Sequence, residues 1–162
     1  MSKEIQLTRG MVAIVDDDDW GWVSAFNWYA QKCGKYFYAA RRRARPELGI
    51  ALLHRDIMNA PKGVRVDHKN HDTMDYRRVN LRLASGMQNV ANSYKYTKPC
   101  SSQFKGVCYV PNINGAHPWM AYVGANLNRE YLGYFETEIE AARAYNKRAH
   151  ERFKEFAFLN KI

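Results

Sequence analysis

Little in this chain points to disulfides or to structural zinc. Its 162 residues include only three cysteines, Cys33, Cys100 and Cys108. They show no CxxC pair and no zinc-finger spacing with histidine, which argues against a disulfide framework and a structural thiolate site and fits a reducing compartment. Long apolar runs are missing too. No stretch approaches the roughly 20 residues needed to span a bilayer, and the opening MSKEIQLTRG has no apolar signal core. The expectation is a soluble, cytoplasmic protein with no membrane partner.

Acidic residues are in deficit. Against 25 Lys and Arg stand 16 Asp and Glu, a formal charge of +9, which favours a polyanionic partner through the protein's field and the counterions that bound cations displace. The excess is +2 over residues 1–60, +5 over 61–100 and +2 over 101–162, so the middle of the chain is its most basic part. Aromatics are plentiful, with 11 Tyr, 7 Phe and 4 Trp, and rings anchor small sheets whose cores are thin. The length suits one ordinary domain or two small ones.

KEIQLTRGMVAIV reads as a hairpin turned at Arg9 and Gly10, and Asp16 to Asp19 as a solvated turn capping a helix, since the alternating ligands of a calcium loop are absent. WYAQKCGKYFYAARRR reads as a second hairpin with Gly34 at its turn, running into the basic cluster Arg41, Arg42, Arg43 and Arg45. That cluster fits a solvated strand end or phosphate contact. IALLHRDIMNAPKG leads from a strand into a short helix stopped by Pro61 and Gly63, and His54 reads as a packed or capping histidine.

Residues 64–92 then group as one unit: VRVDH is a short strand, HDTMDYRRV a polar loop, NLRLAS a second strand and GMQNVANSY a short helix. The DH at 67 and 68, NLR at 80 to 82 and QN at 88 and 89, preceded by LHR at 53 to 55, resemble the ββα-metal motif of HNH nucleases, in the form with asparagine as the last member. The resemblance implies that His68 is the general base and that Asn80 orients it. It also implies that Asp67 and Asn89 offer oxygens to one divalent cation, Mg2+ or Mn2+. Arg77, Arg78 and Arg82 fit the charge expected around phosphate or a solvated face, while His71, Asp72 and Asp75 read as loop residues, with His71 a weaker candidate for substrate contact.

NSYKYTKPCSSQ is polar and broken by Pro99, and marks a linker. Beyond it come three β-rich runs, FKGVCYV, PWMAYVG and REYLGYF, and the helix ETEIEAARAYNKRAHERF. The helix carries Ile139, Ala142, Tyr145, Ala149 and Phe153 at helical spacing, with Thr137 and Glu140 as a capping box. The LGYF and AARAY passages within residues 101–160 resemble the Apetala or ethylene-response-factor DNA-binding domain, which implies a three-stranded sheet reading the major groove. The plant members' strand arginines are not all matched, and Lys105, Trp119 and Arg129 are the candidate contacts, with Tyr109 and Tyr122 as additions. Trp119 fits a core position as well as a DNA-facing one.

The expected fold is α+β: a β-rich N-terminal region with the nuclease core over 1–92 (core about 54–92), a linker over 93–100, and a three-stranded antiparallel sheet packed on one helix over 101–162. The expected function is that of a metal-dependent DNA endonuclease, similar to homing-type nucleases of phages and mobile elements, acting on double-stranded DNA as a monomer or weak dimer. One active site per chain implies a nick. The rivals are a DNA-binding transcriptional regulator with an inactive nuclease core, and a zinc-stabilised structural or RNA-binding module. Competent residues at all four core positions weigh against the first, and missing cysteine pairs against the second.

Overall fold

Apolar residues alternate through the first two strands, and that alternation decides which face is covered. β1 (Ser2–Gln6) pairs antiparallel with β2 (Val12–Asp16), from Ser2 opposite Asp16 to Gln6 opposite Val12. Ile5, Ala13 and Val15 are buried, and the chain reverses through Arg9 and Gly10, both with φ 66°. The computed structural model describes residues 1–46, 48–95, 101–111, 117–125 and 128–162. It divides into two units, Met1–Ser85 and Gly86–Ile162.

In the first unit, α1 (Asp17–Val23) follows β2 directly, and its three leading aspartates suit the positive end of a helix. The aspartate run is more than a solvated cap. Asp16 sits at the N-cap position without capping by its side chain, and its Oδ2 instead accepts from the Arg78 backbone N at 2.7 Å. Asp19 is buried and grips the Arg78 guanidinium at 2.7 and 2.9 Å. β3 (Tyr29–Cys33), β4 (Tyr36–Arg42) and β5 (Ile50–Leu52) form an antiparallel sheet in that order, and β5 runs into α2 (Leu53–Ile57). β6 (Arg65–His68) and β7 (Leu81–Ala84) make a separate antiparallel pair.

One core joins these pieces, with Ile5, Val15, Val23, Trp28, Leu53, Ile57, Tyr76 and Leu81 among its buried members. The loop between β6 and β7 is fastened to β2: Ile14 N donates to Met74 O at 2.9 Å and Tyr76 N to Ile14 O at 2.8 Å. This draws Tyr76 wholly inside, where its hydroxyl accepts from Ala39 N at 2.5 Å. A loop that reads as polar in sequence is therefore pinned at a defined place.

The second unit holds α3 (Gly86–Asn92), then β8 (Val107–Tyr109), β9 (Trp119–Val123) and β10 (Glu130–Phe135) in the sheet order β10-β9-β8, with α4 (Glu138–Phe153) packed on the sheet. Thr137 and Glu140 form the capping box. Ala141, Ala142, Tyr145 and Ala149 are buried against Val107, Ala121 and Val123, small residues letting helix and sheet approach closely. Ile139 lies on the expected stripe but in the first helical turn, and it is exposed. Residues 96–100 of the expected linker lie outside the described residues. No helix among the described residues is long and apolar enough to cross a membrane.

Candidate active site

Asp67 and His68 end β6 opposite Arg82 and Leu81 of β7. Both are 6% exposed, which is unusual for a carboxylate unless it is paired. Asp67 is paired: Nε and a terminal nitrogen of Arg82 each lie 2.8 Å from its Oδ2. Pairing partners on adjacent strands put the two side chains on one face of the hairpin.

The His68 ring lies among other rings. Its centroid is 5.4 Å from His54, 5.6 Å from Tyr76 and 6.1 Å from Tyr38, with the two closest contacts edge-on. Burial there pushes the His68 pKa down to about 4, against the opposing pull of the Asp67, Asp72 and Asp75 charges. His54, 7% exposed, is pushed to about 3 by burial, with His68 and Arg55 adding to the effect. Its Nδ1 is buried with no hydrogen-bond partner among the described residues. Burial likewise raises the Tyr76 hydroxyl well above its ordinary range.

Asn80, also buried, secures the loop that leaves His68. Its Nδ2 donates to Asp75 O at 2.9 Å, its Oδ1 accepts from Asn70 N at 2.9 Å, and its backbone O accepts from Lys69 N at 2.9 Å. Asp75 takes bonds from Arg77 at 2.7 and 2.8 Å and from Asn70 at 3.0 Å, and the Arg77 bonds hold its carboxyl below the usual range. Asp72 accepts from Met74 N at 2.9 Å in a local turn. His71 adopts φ 65°. Asn89 lies on α3 in the second unit.

The cations named from sequence have varied settings. Arg41 and Arg43 both reach Asp56, at 3.0 and 3.3 Å, and Arg41 stacks 4.1 Å over the Phe26 ring. With Arg55, Lys62, Asp56 and Trp22 they line an open groove of about 550 Å³. Arg42 is exposed. Arg77 and Arg78 keep exposed side chains while bonding Asp75 and Asp19. Arg82 is committed to Asp67. In the second unit Arg129 is exposed, 4.2 Å over the Tyr122 ring, and Trp119 packs on the core with its ring 5.1 Å from Tyr109. Lys105 donates to carbonyls of the chain itself.

Sequence reasoning missed Arg82 as the partner of Asp67, although the strand register sets them opposite once β6 and β7 pair. It also missed Tyr38 and Tyr76 as walls around His68. The signal for Tyr76 was a large ring inside an otherwise polar loop.

Among the described residues no three His, Cys, Asp or Glu side chains gather as a metal cage. The Asp67 carboxylate is an oxygen donor of the kind divalent cations take, and Arg82 occupies it in this structure.

A hairpin ending in a buried Asp-His pair, with a neutral imidazole beside a carboxylate, is an arrangement suited to hydrolysis. The comparison with known proteins agrees: the chain is similar to an uncharacterized HNH endonuclease of Acanthamoeba polyphaga mimivirus, 34% identical over 160 residues that span 95% of this chain and 77% of the relative. The chain belongs to the HNH endonuclease family and is a hydrolase of the nuclease class. No family model matches it, and no solved structure does.

Proposed function

We propose that the protein is a metal-dependent endonuclease that hydrolyses a phosphodiester bond in duplex DNA, cutting one strand at each active site. The observation that carries this is the placement of Asp67 and His68 together at the buried end of β6, inside a ring cluster that keeps His68 neutral. At neutral pH the imidazole is free of its second proton, the state a general base needs. A pKa of about 4 makes it a weak base in the free protein. The charge of an approaching phosphate stabilises the imidazolium and strengthens it.

His68 takes the proton of the attacking water. Asn80 fixes the loop beyond the histidine and so its orientation. On the reading of the sequence motif, Asp67 and Asn89 would each offer an oxygen to one divalent cation, Mg2+ or Mn2+. When bound, that cation neutralises charge on the phosphate and on the departing oxygen. Tyr38, His54 and Tyr76 exclude water from the protein side of the imidazole. Duplex DNA as substrate is supported by the +9 charge and by the cation-lined groove of Arg41, Arg43, Arg55 and Lys62. The C-terminal unit, by its LGYF and AARAY passages, is read as an Apetala-type DNA-binding module with Arg129 exposed for contact.

A DNA-binding regulator with an inactive core is the second reading. The Arg82–Asp67 ion pair favours it, because a guanidinium on the carboxylate competes with a metal ion. Supercoiled plasmid incubated with protein and Mg2+ or Mn2+ separates the two. Conversion to nicked circles that EDTA abolishes is the result expected of the nuclease. Binding without any metal-dependent nicking points to the regulator.

A further inference from the structure

Sequence alone makes Lys105 a candidate DNA contact. Its surroundings are different. Nζ donates to Ala91 O at 2.7 Å, Ser93 O at 2.6 Å and Val90 O at 3.1 Å. These carbonyls end α3 (Gly86–Asn92) and open the segment after it. The last carbonyls of a helix lack partners within it and carry partial negative charge. An ammonium has three donors, and here three carbonyl oxygens take them. A helix of seven residues has almost no stability of its own, so what holds its end decides where it sits.

Lys105 is itself fixed by the C-terminal fold. Its backbone N donates to Asn160 Oδ1 at 2.7 Å, and Asn160 Nδ2 donates back to its O at 3.0 Å. The next residue, Gly106, has φ 73°, and a Cβ there would overlap the Tyr145 ring and the Tyr122 carbonyl. Phe158 adds a second anchor: its N donates to Ala91 O at 3.0 Å, and its ring meets Tyr94 edge-on at 5.1 Å. Burial pushes the ammonium pKa down to about 8, so it remains charged at neutral pH. A DNA phosphate would have to take Lys105 from three carbonyls.

We infer that Lys105 is a positioning residue for Asn89, through which the C-terminal sheet-and-helix fold holds the helix that carries it. The inference rests on reading Asn89 as an oxygen donor to the cation. Lys105 then sets how much cation the enzyme needs, and has little effect on how tightly duplex is held.

The test uses full-length Lys105→Met and Lys105→Arg, with three readouts: amide exchange in α3 and α4, the Mg2+ concentration giving half-maximal plasmid nicking, and duplex affinity in EDTA. For Lys105→Met we expect α3 amides to exchange ~10-fold faster or more while α4 stays protected. The half-saturating Mg2+ should rise ~10-fold or more, as when a group supporting a metal ligand is lost. Duplex affinity should hold within a factor of about 3, since one phosphate contact fewer would weaken it further. Lys105→Arg, which keeps the charge, should recover part of both losses. Unchanged α3 exchange and Mg2+ need with weakened duplex binding would overturn the inference in favour of a phosphate contact. If Lys105→Met does not fold, the same pattern in Lys105→Arg decides alone: both effects in smaller size uphold it, and loss of duplex affinity alone overturns it. Failure of the Asn89 reading looks different. Asn89→Ala would then leave the Mg2+ requirement unchanged, while α3 exchange still reports whether Lys105 holds the helix.

Discussion

Arg82 grips Asp67 from the directly paired position on the neighbouring strand, with two guanidinium nitrogens 2.8 Å from Oδ2. Both side chains are nearly out of solvent, so the pair is not an ordinary surface ion pair. Replacing Arg82 by methionine leaves a carboxylate buried without its cation. We expect a loss of about 3–5 kcal/mol in urea unfolding, the usual cost of breaking a buried pair from one side. The double variant Asp67→Asn/Arg82→Met should recover part of it. A loss below about 1 kcal/mol, typical of exposed pairs, would show that water reaches the pair.

Asn80 uses both ends of its side-chain amide on the loop after His68, donating to Asp75 O and accepting from Asn70 N. Asn80→Ala should therefore slow single-turnover nicking by ~10- to 100-fold, the range seen when orienting groups are removed from a site. Duplex affinity should stay near that of the parent. An equal loss in binding and turnover would mean that the whole loop had collapsed.

The buried histidines make the first unit acid-labile. The folded pKa of His54 is about 3 against an ordinary value of 6.5. Between those values the unfolded chain takes up a proton that the folded chain refuses. Stability is thus fully present above about pH 6.5 and falls as the pH drops toward 3, by up to about 1.4 kcal/mol per pH unit for one such group. Urea midpoints taken from pH 7 to 4.5 should decline, and His54→Phe should flatten the slope. A slope identical in parent and variant would place the acid sensitivity elsewhere.

Much of the architecture was legible because it is written in local pattern. Alternation marked the hairpins, Gly34 the tight turn, and Thr137 with Glu140 the start of α4. The Asp67-His68 pair was legible as chemistry. What escaped depends on which distant groups meet. Arg82 reads as one more cation in a basic segment until strand register puts it on Asp67. Lys105 reads as a strand-edge lysine until the C-terminal fold brings it to the end of α3. Tyr76 becomes core because β2 captures its loop through Ile14, a link across about sixty residues of sequence. Ile139 shows the converse: correct spacing at the very start of a helix left it without a surface to cover.

His68 carries the proposed chemistry. Single-turnover cleavage of labelled duplex should be measured for His68→Ala and the parent protein at saturating Mg2+ or Mn2+, with duplex affinity measured alongside. The expected result is a rate lower by ~10²- to 10⁴-fold, the range a general base contributes, with affinity within a factor of about 3. His68→Ala cleaving at the parent rate would contradict the assignment of the base and with it the mechanism.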